Sequence, residues 1–242
     1  MAAAGERYRC AKSVVHQHIC CGRYQIRVTS QLRRARSEPA RIRACRSEGV
    51  RVAVSLAEGW ELFEMQLDDG YLPTAVDVDR SLPDRLDPRQ FAAAAIAAYQ
   101  LSVWRRSAAA IARGDYAALD PYPSRRAQLI TALDAGSYAE FQAIEHAMRG
   151  DSTFTGRGPI TRFDRPSMTI TAGLGYIHDI AVDSQWAASA PPYAIAADMV
   201  DCAGRIREQR PRFHETGSWS VRSDDELEYE VREYRAYLER NR

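Results

Sequence analysis

The stretch 50-VRVAVSLAEGWELFEMQLDDGYLPTAVDVD-79 decides the fold class. Val50, Val52, Val54 and Leu56 alternate with Arg51, Ala53 and Ser55 until Glu58-Gly59 signals a turn, which is the period of a strand with one buried face. Alternation resumes from Trp60 to Leu67 and breaks at Asp68-Asp69-Gly70, residues favoured in tight turns. Thr74 to Asp79 supplies a third short strand. Three strands joined by short turns predict an antiparallel meander.

Working outward, Asp87-Pro88 reads as a helix cap followed by a first-turn proline. It opens the alanine-rich run FAAAAIAAYQLSVWRRSAAAIAR, which ends at Gly114. On the other side, Tyr24 to Arg43 reads as a basic helix interrupted near Pro39. Residues 1–23 have no periodicity and are set apart as an uncertain, disordered segment. Residues 24–114 therefore form a first unit of helix, meander and helix, and the proline-containing segment 115–123 is a linker.

The same order recurs over residues 124–212. Helical signals run from Ser124 to Met148, with a break at Gly136 and a capping box at Ser137/Glu140. Strand-like segments follow at Thr153–Phe163, Ser167–Ala172 and Ile177–Asp183, and Gly173-Leu174-Gly175 reads as a hairpin turn. Pro191-Pro192 opens a helix with Ile195, Met199, Cys202 and Ile206 on one face. Gly70-Tyr71-Leu72 with Val78-Asp79 corresponds to Gly175-Tyr176-Ile177 with Val182-Asp183, which points to an internal duplication. Residues 213–242 add an acidic amphipathic helix with a capping box at Ser223/Glu226. The expected class is α+β: two repeats in one chain plus a C-terminal helix.

Composition narrows the function. The 242 residues are 45% hydrophobic and 27% charged, ordinary globular material. No run approaches the roughly 20 apolar residues of a membrane span, and the amino terminus lacks a signal-peptide core, so a cytoplasmic, non-membrane protein is expected. The five cysteines are an odd number, four of them within the first 45 residues, and read as free thiols. The net charge of +1 hides an asymmetry, because residues 1–60 carry twelve Lys/Arg against four Asp/Glu. Only Lys12 among the 33 basic residues is lysine, so arginine abundance reflects coding bias as much as function.

Ser47-Glu48-Gly49-Val50-Arg51-Val52-Ala53-Val54 with Gly70 to Asp79, and Ser167-Met168-Thr169-Ile170-Thr171 with Gly175 to Asp183, carry a resemblance to the YbaB/EbfC family. The resemblance spans residues 24–210 and implies a helix, a three-stranded antiparallel sheet and a helix in each repeat. It also implies a non-enzymatic binding protein. The first expectation is the branch of nucleoid-associated, sequence-independent DNA binders, and the alternative is the branch of chaperone-like accessory proteins encoded with type VII secretion systems, which bind a protein partner. Family members are usually single repeats that dimerise, so two repeats in one chain imply either an internal pseudo-dimer that replaces the oligomer or a dimer of such chains.

The candidate site residues are two sets. Arg33, Arg34, Arg36, Arg41, Arg43 and Arg46 are suited to phosphate contacts on double-stranded DNA, or else form a solvated helix face. Leu227, Val231, Tyr234 and Leu238, at 4-3-4 spacing, form a stripe that either docks a protein partner or folds back on its own domain. His16-Gln17-His18-Ile19-Cys20-Cys21 has ligand residue types without the spacing of a zinc site, so no metal is expected. Asp68/Asp69 and Asp77/Asp79 read as turn and strand residues. His146, His178 and His214 accompany no nucleophile motif, and Trp60, Trp104, Trp186 and Trp219 read as structural. No catalytic residue and no cofactor is expected, and an enzyme on this scaffold would need convergent titratable groups that the spacing does not supply.

Overall fold

The computed structural model describes residues 57–242, and the chain divides into two units at Ala53/Val54, the described residues belonging entirely to the second. The expectations for residues 1–23, the basic helix and the strand Val50–Leu56 lie outside the described residues. The described chain is α+β. Its elements are β1 (Phe63–Leu67), β2 (Pro73–Val78), α1 (Leu82–Arg85), α2 (Phe91–Arg113), α3 (Arg125–Leu133), α4 (Tyr138–Met148), β3 (Phe154–Arg157), β4 (Met168–Ala172), β5 (Ile177–Val182), α5 (Ser184–Ala187), α6 (Pro192–Gln209) and α7 (Asp224–Arg240). The strands form two antiparallel sheets, β1-β2 and β3-β4-β5.

Several boundaries differ from the sequence reading for local reasons. The strand expected from Trp60 begins at Phe63, because Gly59 adopts a left-handed conformation and Leu62 N–H bonds back to its carbonyl, making Trp60–Leu62 a 3-10 turn. The strand expected over Thr153–Phe163 ends at Arg157. Beyond it Pro159 cannot donate to a ladder, and residues 161–165 close a turn in which Asp164 has φ 55. At α4 only half of the capping box is present: Ser137 accepts from Glu140 N–H, but the Glu140 carboxylate reaches Gly136 N–H instead of Ser137 N–H. The Asp87 cap, the helix end at Gly114 and the full box at Ser223/Glu226 are as expected.

One hydrophobic core joins both sheets. Phe63, Met65 and Val78 of the first sheet and Met168, Ile170, Ile177 and Ile180 of the second share it with α2 and α6. Each long helix touches both sheets: α2 packs on β1 and β5, and α6 on β2, β3 and β4. Alanine makes this possible, since Ala94, Ala95 and Ala98 are buried and let α2 approach closely. The expected stripe Ile195, Met199, Cys202 and Ile206 is the buried face of α6.

The remaining helices have their own packing. Phe141, Ile144 and Leu238 form one cluster, and Leu129, Ile130, Leu133 and Leu227 another. Thus α3 and α4 pack with α7, away from the sheet that follows them in sequence. No helix among the described residues is long and apolar enough to cross a membrane.

A candidate partner-binding groove

The β1-β2 hairpin is held by three arginines from distant elements. Arg207 Nε donates to Asp68 Oδ2 at 2.6 Å and Nη2 to the carbonyls of Leu72 and Pro73. Arg106 Nη2 donates to Asp69 Oδ1 at 2.6 Å, and its guanidinium lies over the Tyr71 ring. Arg210 donates to Gly70 O at 2.7 Å and to Gly173 O at 2.6 Å, tying the turns of the two sheets together. Burial pushes the Arg210 guanidinium down to about 10, which still leaves it charged at neutral pH. The left-handed residue of the turn is Tyr71, φ 58, and not Gly70. Tyr71 is held there by Tyr99, whose hydroxyl donates to Tyr71 O and accepts from Ile177 N–H.

Fixing the turn fixes where β2 runs. β2 pairs with β1 along one edge, and no strand pairs with its other edge among the described residues. An open groove of about 910 Å³ lies there, with Ala75, Val76, Asp77 and Val78 on one side. Successive strand residues point to opposite faces, so four consecutive residues line a common space only along the strand's edge. The opposite wall is the flank of α6 next to its buried face, chiefly Tyr193, Ala196, Ala197 and Val200. Tyr193 is 77% exposed, a large apolar surface left open to solvent.

The groove is acidic at its rim. Glu64 and Asp77 stand directly opposite each other across β1 and β2, a like-charge pairing that destabilises a ladder. Of these two Asp77 lines the groove, and Asp201 lines it from α6. None of the three forms an ion pair among the described residues, and Arg80 is the cation that lines the same groove. The whole described body shares this sign, since residues 57–242 carry 21 arginines against 29 carboxylates.

The arginines Arg33, Arg34, Arg36, Arg41, Arg43 and Arg46 lie outside the described residues. Leu227, Val231, Tyr234 and Leu238 are brought together, but against α3 and α4: Leu227 and Leu238 are buried, and the Tyr234 hydroxyl donates to Ala135 O. The stripe is thus the seam of the chain's own helical unit. His214 bonds Asp134 at 2.9 Å, while Trp104 is 65% exposed, unlike a core residue. Ser167 is buried with its hydroxyl donated to the Asp198 carboxylate. Cys202 is buried, and burial pushes its thiol up to about 12.

The groove residues were missed by the sequence reading. The available signal was a second, apolar flank on α6 at Tyr193, Ala197 and Val200, spaced four and three apart beside the core stripe. A search with the chain matches no protein-family model, no curated protein and no solved structure.

Proposed function

We propose that this chain is a non-catalytic binding protein built from two YbaB-like repeats, whose partner is another protein. The duplication is supported by parallel construction. Asp79 accepts from Ser81 N–H before α1, and Asp183 accepts from Trp186 N–H in α5; a proline-opened helical segment follows each. Tyr71 and Tyr176, from corresponding turns, meet edge to face at 5.2 Å.

The observation that carries the choice of partner is the apolar groove beside β2 on a body with an excess of carboxylates. A polyanion such as DNA is repelled by that body, whereas an apolar, edge-lined groove suits a polypeptide. The secretion-accessory branch of the resemblance is therefore the preferred one. The test is a photo-crosslinking amino acid placed at Ala197, in the groove, and separately at Tyr229, on the exposed side of α7. A protein adduct specific to position 197 is expected in cells; equal labelling from both positions, or none, refutes the reading.

A second reading rests on one observation, the twelve basic residues against three acidic ones in residues 1–56. In that reading DNA is held electrostatically and without sequence preference by Arg33, Arg34, Arg36, Arg41, Arg43 and Arg46. Replacing the first five with glutamine weakens binding to any duplex and flattens the salt dependence, by about 0.9 in logarithmic slope per lost phosphate contact. Gel shifts at several salt concentrations check it, and no binding by the intact chain at low salt removes it.

A further inference from the structure

We infer that the groove takes its partner as an added β-strand: an extended segment with alternate apolar side chains and a cationic residue, hydrogen-bonded along the outer edge of β2. The inference rests on the protein-binding reading above and names its mode. Three observations converge on it. The edge of β2 offers backbone donors and acceptors that no strand among the described residues takes up, and an extended chain is what satisfies such a row. The flank of α6 lies beside that edge with Ala196, Ala197 and Val200. An added strand would therefore present every second side chain to a wall of small residues with room for a branched apolar group.

The third observation is the rim. Asp77 and Asp201 line the groove against one guanidinium from Arg80, and Glu64 stands opposite Asp77 on the paired strand without an ion-pair partner among the described residues. A lysine or arginine on the solvent side of the added strand relieves that repulsion. A DNA backbone or an acidic helix would worsen it. A second copy pairing through its own β2 would bring two Asp77 carboxylates to the same sheet, so the charge favours a foreign, basic segment.

The experiment uses the full chain and a short synthetic peptide of alternating valine and threonine with one central lysine, read by fluorescence anisotropy. Two N-methylated versions block alternate sets of backbone amides. Strand addition predicts that one pattern abolishes binding and the other leaves it nearly intact, because only every second amide faces β2. Ala197→Arg, a change at an exposed helix position, is expected to block the groove without changing the melting temperature. Asp77→Asn with Asp201→Asn is expected to cost roughly two- to fivefold in affinity for the lysine peptide and nothing for a threonine analogue.

Equal loss from both methylation patterns, or binding indifferent to Ala197→Arg, overturns the inference. So does a concentration-dependent dimer that the peptide does not dissociate, which would assign the edge to a second copy. If a protein crosslinks at position 197 while the unmethylated peptide fails to bind, strand addition falls and the protein-binding reading stands. If both fail, both fall.

Discussion

Gly156→Ala is expected to be among the most damaging methyl-sized changes in this protein. Gly156 sits in β3 opposite Ile170, where α6 crosses the strand. A Cβ placed on it would lie 2.0 Å from Cys202 O and 2.7 Å from the carbonyl carbon, both backbone atoms of the helix. No rotamer change relieves a clash between two backbones, so strand and helix must separate by about 1 Å in an interior packed like an organic crystal. That separation loosens Met199, Cys202 and Ile206, all fully buried. Overpacking ordinarily costs about 1–3 kcal/mol and sometimes more. A backbone-on-backbone case belongs at the upper end, about 3 kcal/mol, or roughly 6–12 °C in melting temperature for a body of this size. The internal control is Gly204→Ala in α6, where an added Cβ meets nothing within 4 Å. Alanine is favoured over glycine in a helix interior by about 0.5–1 kcal/mol, so this variant should melt slightly above wild type. Far-UV circular dichroism melts of the three proteins provide the comparison. If Gly156→Ala melts with or above wild type, the close approach of β3 and α6 is wrong.

Three further outcomes are expected. Leu227→Ala should lower stability by about 2–5 kcal/mol in urea titrations, because the side chain is fully buried against α3; groove-peptide affinity should be unchanged in the folded variant. Tyr99→Phe should cost about 1–3 kcal/mol in the same titrations by leaving Tyr71 O and Ile177 N–H without the hydroxyl between them. With its thiol raised to about 12 by burial, Cys202 stays protonated at neutral and mildly alkaline pH, so mass-mapped alkylation at pH 8 should modify it only after denaturation. Modification of native Cys202 at the rate of a free thiol would contradict its burial.

Elements defined by short-range chemistry were legible in the sequence. The Asp87-Pro88 start and Gly114 end of α2, the Ser223/Glu226 box of α7, the β4-β5 hairpin and the core stripe of α6 all follow from caps, turns and periodicity, which act over a few residues. The left-handed Tyr71 was not legible, because glycine next to it is the residue that local preference selects. What holds Tyr71 there is Tyr99, 28 positions away. The same limit applies to the helical stripe of α7. Its 4-3-4 spacing specified an apolar face, but whether that face meets a partner or α3 and α4 depends on where the chain between Gln209 and Ser223 delivers it.

By itself, then, the sequence determined the α+β class, most element positions and the concentration of positive charge in residues 1–56. Only the tertiary structure decided that α2 and α6 each span both sheets, that three arginines pin the first hairpin, and that no strand among the described residues takes the outer edge of β2 beside the flank of α6. Local preferences fix the conformation of a few neighbouring residues, whereas a groove is made of backbone and side chains more than a hundred positions apart. It exists only once burial of the shared core has brought Ala75 and Ala197 together.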